Sequence, residues 1–391
     1  MRRPLLAALA LLPVLTLAPV AGAANDTSAA AHEKRVCAHE EPGYAACDAH
    51  VVTDAHGTPV ATTTPAGFGP AQLQGAYGIA GRVSGGRTVA IVDAYNDPKA
   101  FNDVNVYRAQ YGIPPLSSTC GAGAACFRQV NQSGGTKLPR NNGGWAQEIS
   151  LDLDMVSAAC PDCNILLVEA SSNSFANLAA AVSYAKTAPG VVAVSNSYGG
   201  SEYSGEASYR SVYAGNTGQW ITASSGDSGY GAQSPASYPG VVAVGGTSLT
   251  VSSTNGYGGE TAWSGAGSGC SAYETALNNT AICAGKRAVA DVSAVADPNT
   301  GVAVYDSYAD QGVSGWLVFG GTSASAPFIA SVHALAGSTT NDAGTLYGGT
   351  ASVHDVVGGS NGTCTNTPMC TAVSGYDGPT GVGSPNGTTG F

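Results

Sequence analysis

The sequence carries a series of short apolar runs with no polar alternation: Arg87-Thr-Val-Ala-Ile-Val-Asp93, Asn164-Ile-Leu-Leu-Val-Glu169, Val191-Val-Ala-Val-Ser195, Trp220-Ile-Thr-Ala-Ser224 and Val241-Val-Ala-Val-Gly245. A strand with one wet face alternates apolar and polar residues, so these runs belong in a sheet covered on both faces. Between and around them lie stretches of helical character: Lys99 to Tyr111, Trp145 to Ala159, Ser174 to Thr187 and Glu206 to Gly218. Strands alternating with helices predict an α/β fold with a mainly parallel central sheet and helices on both faces. Functional groups in such sheets gather at the carboxyl ends of the strands. Residues 248–288, rich in Gly, Ser, Thr and Asn without a clear period, read as loops and short hairpins. No internal repeat is evident.

The chain of 391 residues is long enough for one large α/β domain plus processed N-terminal material. Residues 1–24 have a basic start, an apolar stretch and small residues at the end, which reads as a signal peptide. The rival reading, a membrane anchor, needs about 20 uninterrupted apolar residues, and Pro13 and Pro19 break this run. Residues 25–65 read as a short propeptide or N-terminal extension, and the folded domain is expected from 66 to 391. Charged residues make up only 10%, and the net charge is -11. Such a surface excludes nucleic acid and anionic membranes as natural partners. Few Lys and Arg also means few paired carboxylates to lose at low pH, so tolerance of acid is permitted.

Ten cysteines fall as close couples, Cys37/Cys47, Cys120/Cys126, Cys160/Cys163, Cys270/Cys283 and Cys364/Cys370. An even count in a secreted chain favours disulfides, although sequence does not fix their connectivity. Cys160-Pro-Asp-Cys163 could also be a redox motif or half a zinc site.

The strongest local motif is Gly320-Gly-Thr-Ser-Ala-Ser-Ala-Pro327, which runs into a segment of helical spacing. A serine where a glycine turn enters a helix has an exposed hydroxyl and free neighbouring N–H groups, which suits a nucleophile. Thr322 or Ser323 could equally be a simple helix cap. A nucleophilic serine needs a base, usually histidine. The six histidines are His32, His39, His50, His56, His333 and His354. His56-Gly-Thr58 has the look of a catalytic histidine motif, but it precedes the strand ending at Asp93 and lies in the polar extension.

A substitute lies in Gly144-Trp-Ala-Gln-Glu148-Ile-Ser-Leu-Asp152. Residues four apart share a helix face, so Glu148 and Asp152 point the same way. Two such carboxyls share protons and make a base suited to acid. An acidic solvated face at a helix N-terminus is the alternative. The third piece is Ser224-Ser-Gly-Asp227-Ser-Gly229, directly after a strand. A protonated acid there could donate to a developing oxyanion. A lone motif of this kind would ordinarily be a turn.

With Glu148, Asp152, Asp227 and Ser323 in this order, the chain resembles the sedolisin family of serine-carboxyl peptidases from about residue 66 onward. The resemblance implies a subtilisin-like fold and a secreted, acid-active endopeptidase. Ser323 would be the nucleophile, Glu148 the general base and acid, Asp152 its proton-sharing partner, and Asp227 the oxyanion-facing acid. Ser195-Asn-Ser-Tyr-Gly-Gly-Ser-Glu202 resembles the family's substrate strand, which implies that Ser197, Tyr198 and Gly199 bind substrate backbone. Segment 289–298, beginning Val289-Ala-Asp291, also resembles the family. Segments 354–356 and 373–385 resemble its structural calcium site, with carboxylates from Asp355 and Asp377 and carbonyls from Val356, Val373 and Gly375. An Asp-rich turn is the alternative there. The expected partners are protein or peptide substrates, and a monomer is expected. Asp93 is assigned to structure or a substrate contact. A catalytically inactive relative that binds peptides or cell-wall material is the competing function, and a His-dependent subtilase or esterase a third.

Overall fold

The computed structural model describes residues 32–38, 42–121, 123–279 and 281–391. The signal peptide expected at residues 1–24 lies outside them. Three short strands come first: β1 (His32–Arg35), β2 (Ala46–Cys47) and β3 (His50–Thr53). The alternation then begins with α1 (Pro70–Ala76), β4 (Thr88–Ala94), α2 (Ala100–Gln110) and β5 (Phe127–Asn131). It continues with α3 (Gly143–Ala159), β6 (Asn164–Ala170), α4 (Phe175–Thr187) and β7 (Val191–Asn196). Strands predominate thereafter: β8 (Tyr198–Ser201), β9 (Trp220–Ser224), β10 (Gln233–Ser234), β11 (Val242–Val251) and β12 (Tyr257–Ala262). Then come β13 (Gly269–Thr275), β14 (Lys286–Val289), β15 (Val292–Val295), β16 (Val302–Asp306), β17 (Gly315–Gly320) and the long helix α5 (Thr322–Ala336).

The apolar runs form one sheet in the order β12-β11-β9-β7-β4-β6-β5, with β15 also on β11. The pairs within it are parallel except for antiparallel β12 on β11. Val89 to Val92 of β4 are fully buried, as expected for a strand covered on both faces. Helices α3 and α5 pack on each other and on the sheet, and every residue of α3 from Trp145 to Ala159 is buried. These two helices bring Glu148 and Ser323 together.

One expectation fails. The helix read at Glu206 to Gly218 is only a single tight turn at Glu206–Ser208. Its Ser, Tyr and Gly residues have little intrinsic helix preference. The Glu206 carboxylate is instead committed to the Tyr203 N–H (3.0 Å) and the Ser234 hydroxyl (2.9 Å). Residues 248–288 hold loops and short hairpins, as expected: β11 turns back into antiparallel β12 at the end of the main sheet, and β13 into antiparallel β14.

The N-terminal segment is woven into the body. β3 pairs antiparallel with both β1 and β17, and β2 pairs antiparallel with β8. The cysteines form five disulfides, each within one of the sequence couples. The Cys160–Cys163 bond removes the zinc reading of that motif, since no thiolate remains to bind metal.

Candidate active site

Ser323 is the second residue of α5, so its N–H has no partner within the helix. The turn before it depends on Gly321, at φ 101°. A Cβ at this position would stand 2.2 Å from the Asp48 carbonyl oxygen and 2.5 Å from Asp227 Oδ2. The Ser323 hydroxyl donates to the Ser197 carbonyl at 3.1 Å. Its N–H donates to the Asp48 carbonyl at 2.9 Å. Pro327 lacks the N–H that would normally close on Ser323 in the helix. The Ser323 carbonyl instead faces the Ser197 hydroxyl at 3.5 Å.

Glu148 and Asp152 lie one turn apart on α3, whose start is capped by the Asn142 side chain on the Trp145 N–H (3.1 Å). Both carboxyls are fully buried, not solvated, so the acidic-face alternative is excluded. Asp152 accepts a bond of 2.7 Å from the Ser197 hydroxyl. Burial holds the Glu148 carboxyl well above its ordinary range, the charges of Asp152 and Asp93 add to this, and the nearby Ser323 hydroxyl opposes it. Neither Glu148 oxygen has a hydrogen-bond partner in place, so the serine proton must turn from the Ser197 carbonyl to reach it. Asp152 is also raised by burial, opposed by the Ser197 and Glu148 contacts.

Asp93, at the end of β4, is the third member of this cluster. Its oxygens are buried without partners, and burial followed by the Asp152 charge pushes its carboxyl well up. Like charges this close cannot all ionise in a dry site, so the cluster retains protons. Asp93 thus joins Glu148 and Asp152 in one buried carboxyl cluster.

Asp227 follows β9 through Gly226, at φ 116°. One oxygen accepts from the Thr322 N–H and hydroxyl, both at 2.8 Å. The other has no hydrogen-bond partner, and His50 Nε2 stands 3.6 Å away. Burial and then the Asp48 charge push this carboxyl up to about 7, against the opposing influence of His50. Ser197, Tyr198 and Gly199 form the strand edge beside Ser323, where Gly199 and Tyr198 pair with Ala46 and Cys47.

Asp48, His50, Ser224 and Gln233 also converge here, and sequence reasoning missed them. Ser224 lies inside the quoted motif, but the others sit in segments without periodicity, so only their pairing in three dimensions reveals them. His56 sits in an exposed turn, where its N–H meets Asp54 Oδ1 at 2.8 Å. His333 is ten residues beyond Ser323 on α5, roughly 15 Å along the axis. It stacks on Trp220 at 4.5 Å and is pushed down to about 4 by burial. Neither can serve Ser323 as a base.

The calcium ligands expected from sequence lie in one loop cluster. Asp355 accepts from the Gly375 N–H at 3.1 Å and the Ser374 hydroxyl at 2.9 Å. Asp377 accepts from the Thr380 N–H (2.9 Å) and the Val373 N–H (3.1 Å). Burial pushes the Asp377 carboxyl up to about 7, and the Asp355 charge adds to the shift. Two hard oxygen donors that repel one another beside loop carbonyls fit a divalent cation.

This is a subtilisin-like α/β fold with a serine at a helix start and carboxyl groups facing it from the adjacent helix and strand ends. In sequence, the chain is 32% identical over 203 residues to sedolisin from Pseudomonas sp. (strain 101), covering 43% of this chain and 33% of that protein. It therefore spans about a third of that relative's length. In structure, it is similar to Pseudomonas sedolisin, a serine-carboxyl proteinase solved with two molecules of pseudo-iodotyrostatin. That similarity has a TM-score of 0.68 at 23% identity, over 83% of this chain and 96% of the other, and speaks to the fold. No protein-family model matches. Over the matched stretch the chain is related in sequence to sedolisin, and the two proteins share a fold.

Proposed function

We propose that the protein is a secreted serine-carboxyl endopeptidase active in acid. The observation that carries this reading is the buried Glu148–Asp152–Asp93 carboxyl cluster beside a helix-start serine. Ser323 Oγ attacks the peptide carbonyl as Glu148 takes its proton. The C–N bond breaks as Glu148 returns that proton to the departing amine, and water then releases the acyl group by the reverse path. Asp152 shares the proton with Glu148 and is itself oriented by Ser197. The oxyanion is met by the Ser323 N–H and by a protonated Asp227. Asp227, pushed up to about 7, is a donor only below that range, which ties turnover to acid.

Protein or peptide substrates are held along Ser197, Tyr198 and Gly199, and the enzyme acts as a monomer. The Asp355 and Asp377 carboxylates and the carbonyls of Val356, Val373 and Gly375 would hold a calcium ion, which would neutralise the two acids and fix the C-terminal loops. Export is supported by the residues at 1–24 and by the disulfides. Among the described residues no helix is long and apolar enough to cross a membrane.

The test is proteolysis of a denatured protein between pH 3 and 5, with covalent labelling by an irreversible serine-reactive inhibitor. Labelling at Ser323, with loss of proteolysis in Ser323→Ala, is expected. Unchanged proteolysis in Ser323→Ala removes the reading.

A further inference from the structure

The active site already holds an extended peptide, contributed by the chain itself. The Phe175 N–H donates to the Gly43 carbonyl at 3.1 Å, and the Ala45 N–H donates to the Asn173 carbonyl at 2.9 Å. Asn173 Nδ2 returns a bond of 2.8 Å to the Ala45 carbonyl. Ala46 and Cys47 then lie opposite Gly199 and Tyr198, and the Asp48 N–H donates to the Ser197 carbonyl at 3.2 Å. Beyond Asp48, His50 lies opposite Gly320 on β17. The segment is thus held by backbone bonds on both sides of Asp48, as substrates are held by strand addition. The carbonyl presented to the Ser323 N–H is that of Asp48, 2.9 Å away.

The Asp48 side chain points into a made-to-measure place. Its Oδ2 accepts from Ser224 Oγ and Gln233 Nε2, both at 2.6 Å, and the residue is 2% exposed. Gln233 reaches it across two glycines. A Cβ on Gly199 would stand 2.0 Å from Gln233 Nε2, and one on Gly226 would stand 3.0 Å from the same side chain. Buried donors of this kind reject a side chain that cannot accept a hydrogen bond, because they would be left unpaired.

Resting on the peptidase reading above, we propose that Asp48–Ala49 is the bond this enzyme cuts in its own chain, and that Ser224 and Gln233 form a pocket selecting aspartate before the cleaved bond. Ser323 Oγ adds to the Asp48 carbonyl carbon while Glu148 takes the hydroxyl proton. The C–N bond to Ala49 breaks, and that proton goes to the Ala49 nitrogen, which leaves as an amine. One water then adds to the Ser323 ester and gives its proton to Glu148. The Asp48 carboxyl leaves, and the proton returns to Ser323 Oγ. The products are a fragment ending at Asp48, with its Cys37–Cys47 loop intact, and an enzyme beginning at Ala49. Asparagine is the second-best residue, since the Gln233 amide can turn to face a carboxamide.

The full chain is held at pH 4 and followed by intact mass and N-terminal sequencing. A product beginning at Ala49, formed at a rate independent of protein concentration and missing in Ser323→Ala, is expected. Asp48→Asn should cut at a comparable rate. Asp48→Leu and Asp48→Lys should slow by about tenfold or more. Gln233→Leu should narrow the difference between aspartate and leucine at position 48. Cleavage sites in a denatured protein digested by the product should favour aspartate. A first cut elsewhere, or equal rates for all four residues at position 48, overturns this inference and leaves the peptidase reading standing. Absence of both self-cleavage and serine labelling across pH 2 to 9 overturns the peptidase reading, and this inference with it.

Discussion

The hydroxyl of Ser197 donates to Asp152 Oδ1 at 2.7 Å, so a residue of the edge proposed to bind peptide is bonded to the acid proposed to share the catalytic proton. The same residue's carbonyl holds the Ser323 hydroxyl at 3.1 Å and the Asp48 N–H at 3.2 Å. In the proposed mechanism, seating a peptide and setting the proton of the base pair therefore meet in one residue, through its carbonyl and its hydroxyl.

Removing that hydroxyl has a signed consequence. The bond lowers the Asp152 carboxyl, so Ser197→Ala should raise it and move the acidic limb of the pH–rate profile to higher pH. A lost bond to a charged group costs about 1.5–3 kcal/mol, which corresponds to roughly 10- to 100-fold in kcat/KM. A profile that keeps its midpoint while its height falls would mean that Ser197 does not act through Asp152.

Stability should rise in acid. Asp97 and Glu169 meet through the Asp97 N–H and Glu169 Oε1 at 3.1 Å, and burial pushes each carboxyl up to about 8. Asp306 is pushed up to about 6, also by burial first. Groups raised in the folded state stabilise it fully below their unfolded values near 4 and lose that contribution as pH climbs through the folded values. The melting temperature of Ser323→Ala, which cannot digest itself, should be highest near pH 4 and fall toward pH 8. A melting temperature that climbs over that range contradicts the assignment.

Much of the fold was legible because the apolar runs and their spacing are local signals. The strands at 220–224 and 164–169 and the helix at 145–159 all appear in the structure within a residue or two of their expected bounds. The expectations for Ser323 at a helix start, Glu148 and Asp152 on one helix face and Asp227 just past a strand end rested on local signals of the same kind, and the structure places the four at those positions. Asp93 was visible at a strand end, but its neighbour Asp152 comes from a helix far along the chain. The role of residues 43–50 was hidden altogether. Their pairing partners lie at 197–201 and 320, and a polar segment gives no sign of which strand edge it will join. The Glu206 turn was misread because its helix-compatible spacing competes with a carboxylate bonded to distant Ser234.

Asp291 lies in the 289–298 segment and is structural. Its carboxylate meets Arg287 at 2.5 and 2.7 Å, and it accepts from the Ala243 N–H at 2.7 Å, all within the interior. Asp291→Ala should destabilise by about 3–5 kcal/mol, because the Arg287 charge is left buried without its partner. Replacing both residues with apolar ones should cost less than the single change. Chemical denaturation checks both, and equal losses would refute the paired account.

Calcium removal should act on stability first. Chelation should lower the melting temperature, and Asp377→Asn should abolish that dependence while retaining the fold. A melting temperature indifferent to calcium in the parent protein would remove the site.

The central claim is that a carboxylate, not a histidine, takes the Ser323 proton. His50 is the described histidine nearest the site, with Nε2 3.6 Å from Asp227, so it provides the fair comparison. The deciding measurement is the pH–rate profile for peptide hydrolysis by the parent enzyme, Glu148→Gln and His50→Ala. The account predicts an optimum in acid, a loss of about a thousandfold or more in Glu148→Gln, and retained acid activity in His50→Ala. Activity surviving in Glu148→Gln and vanishing in His50→Ala would contradict it.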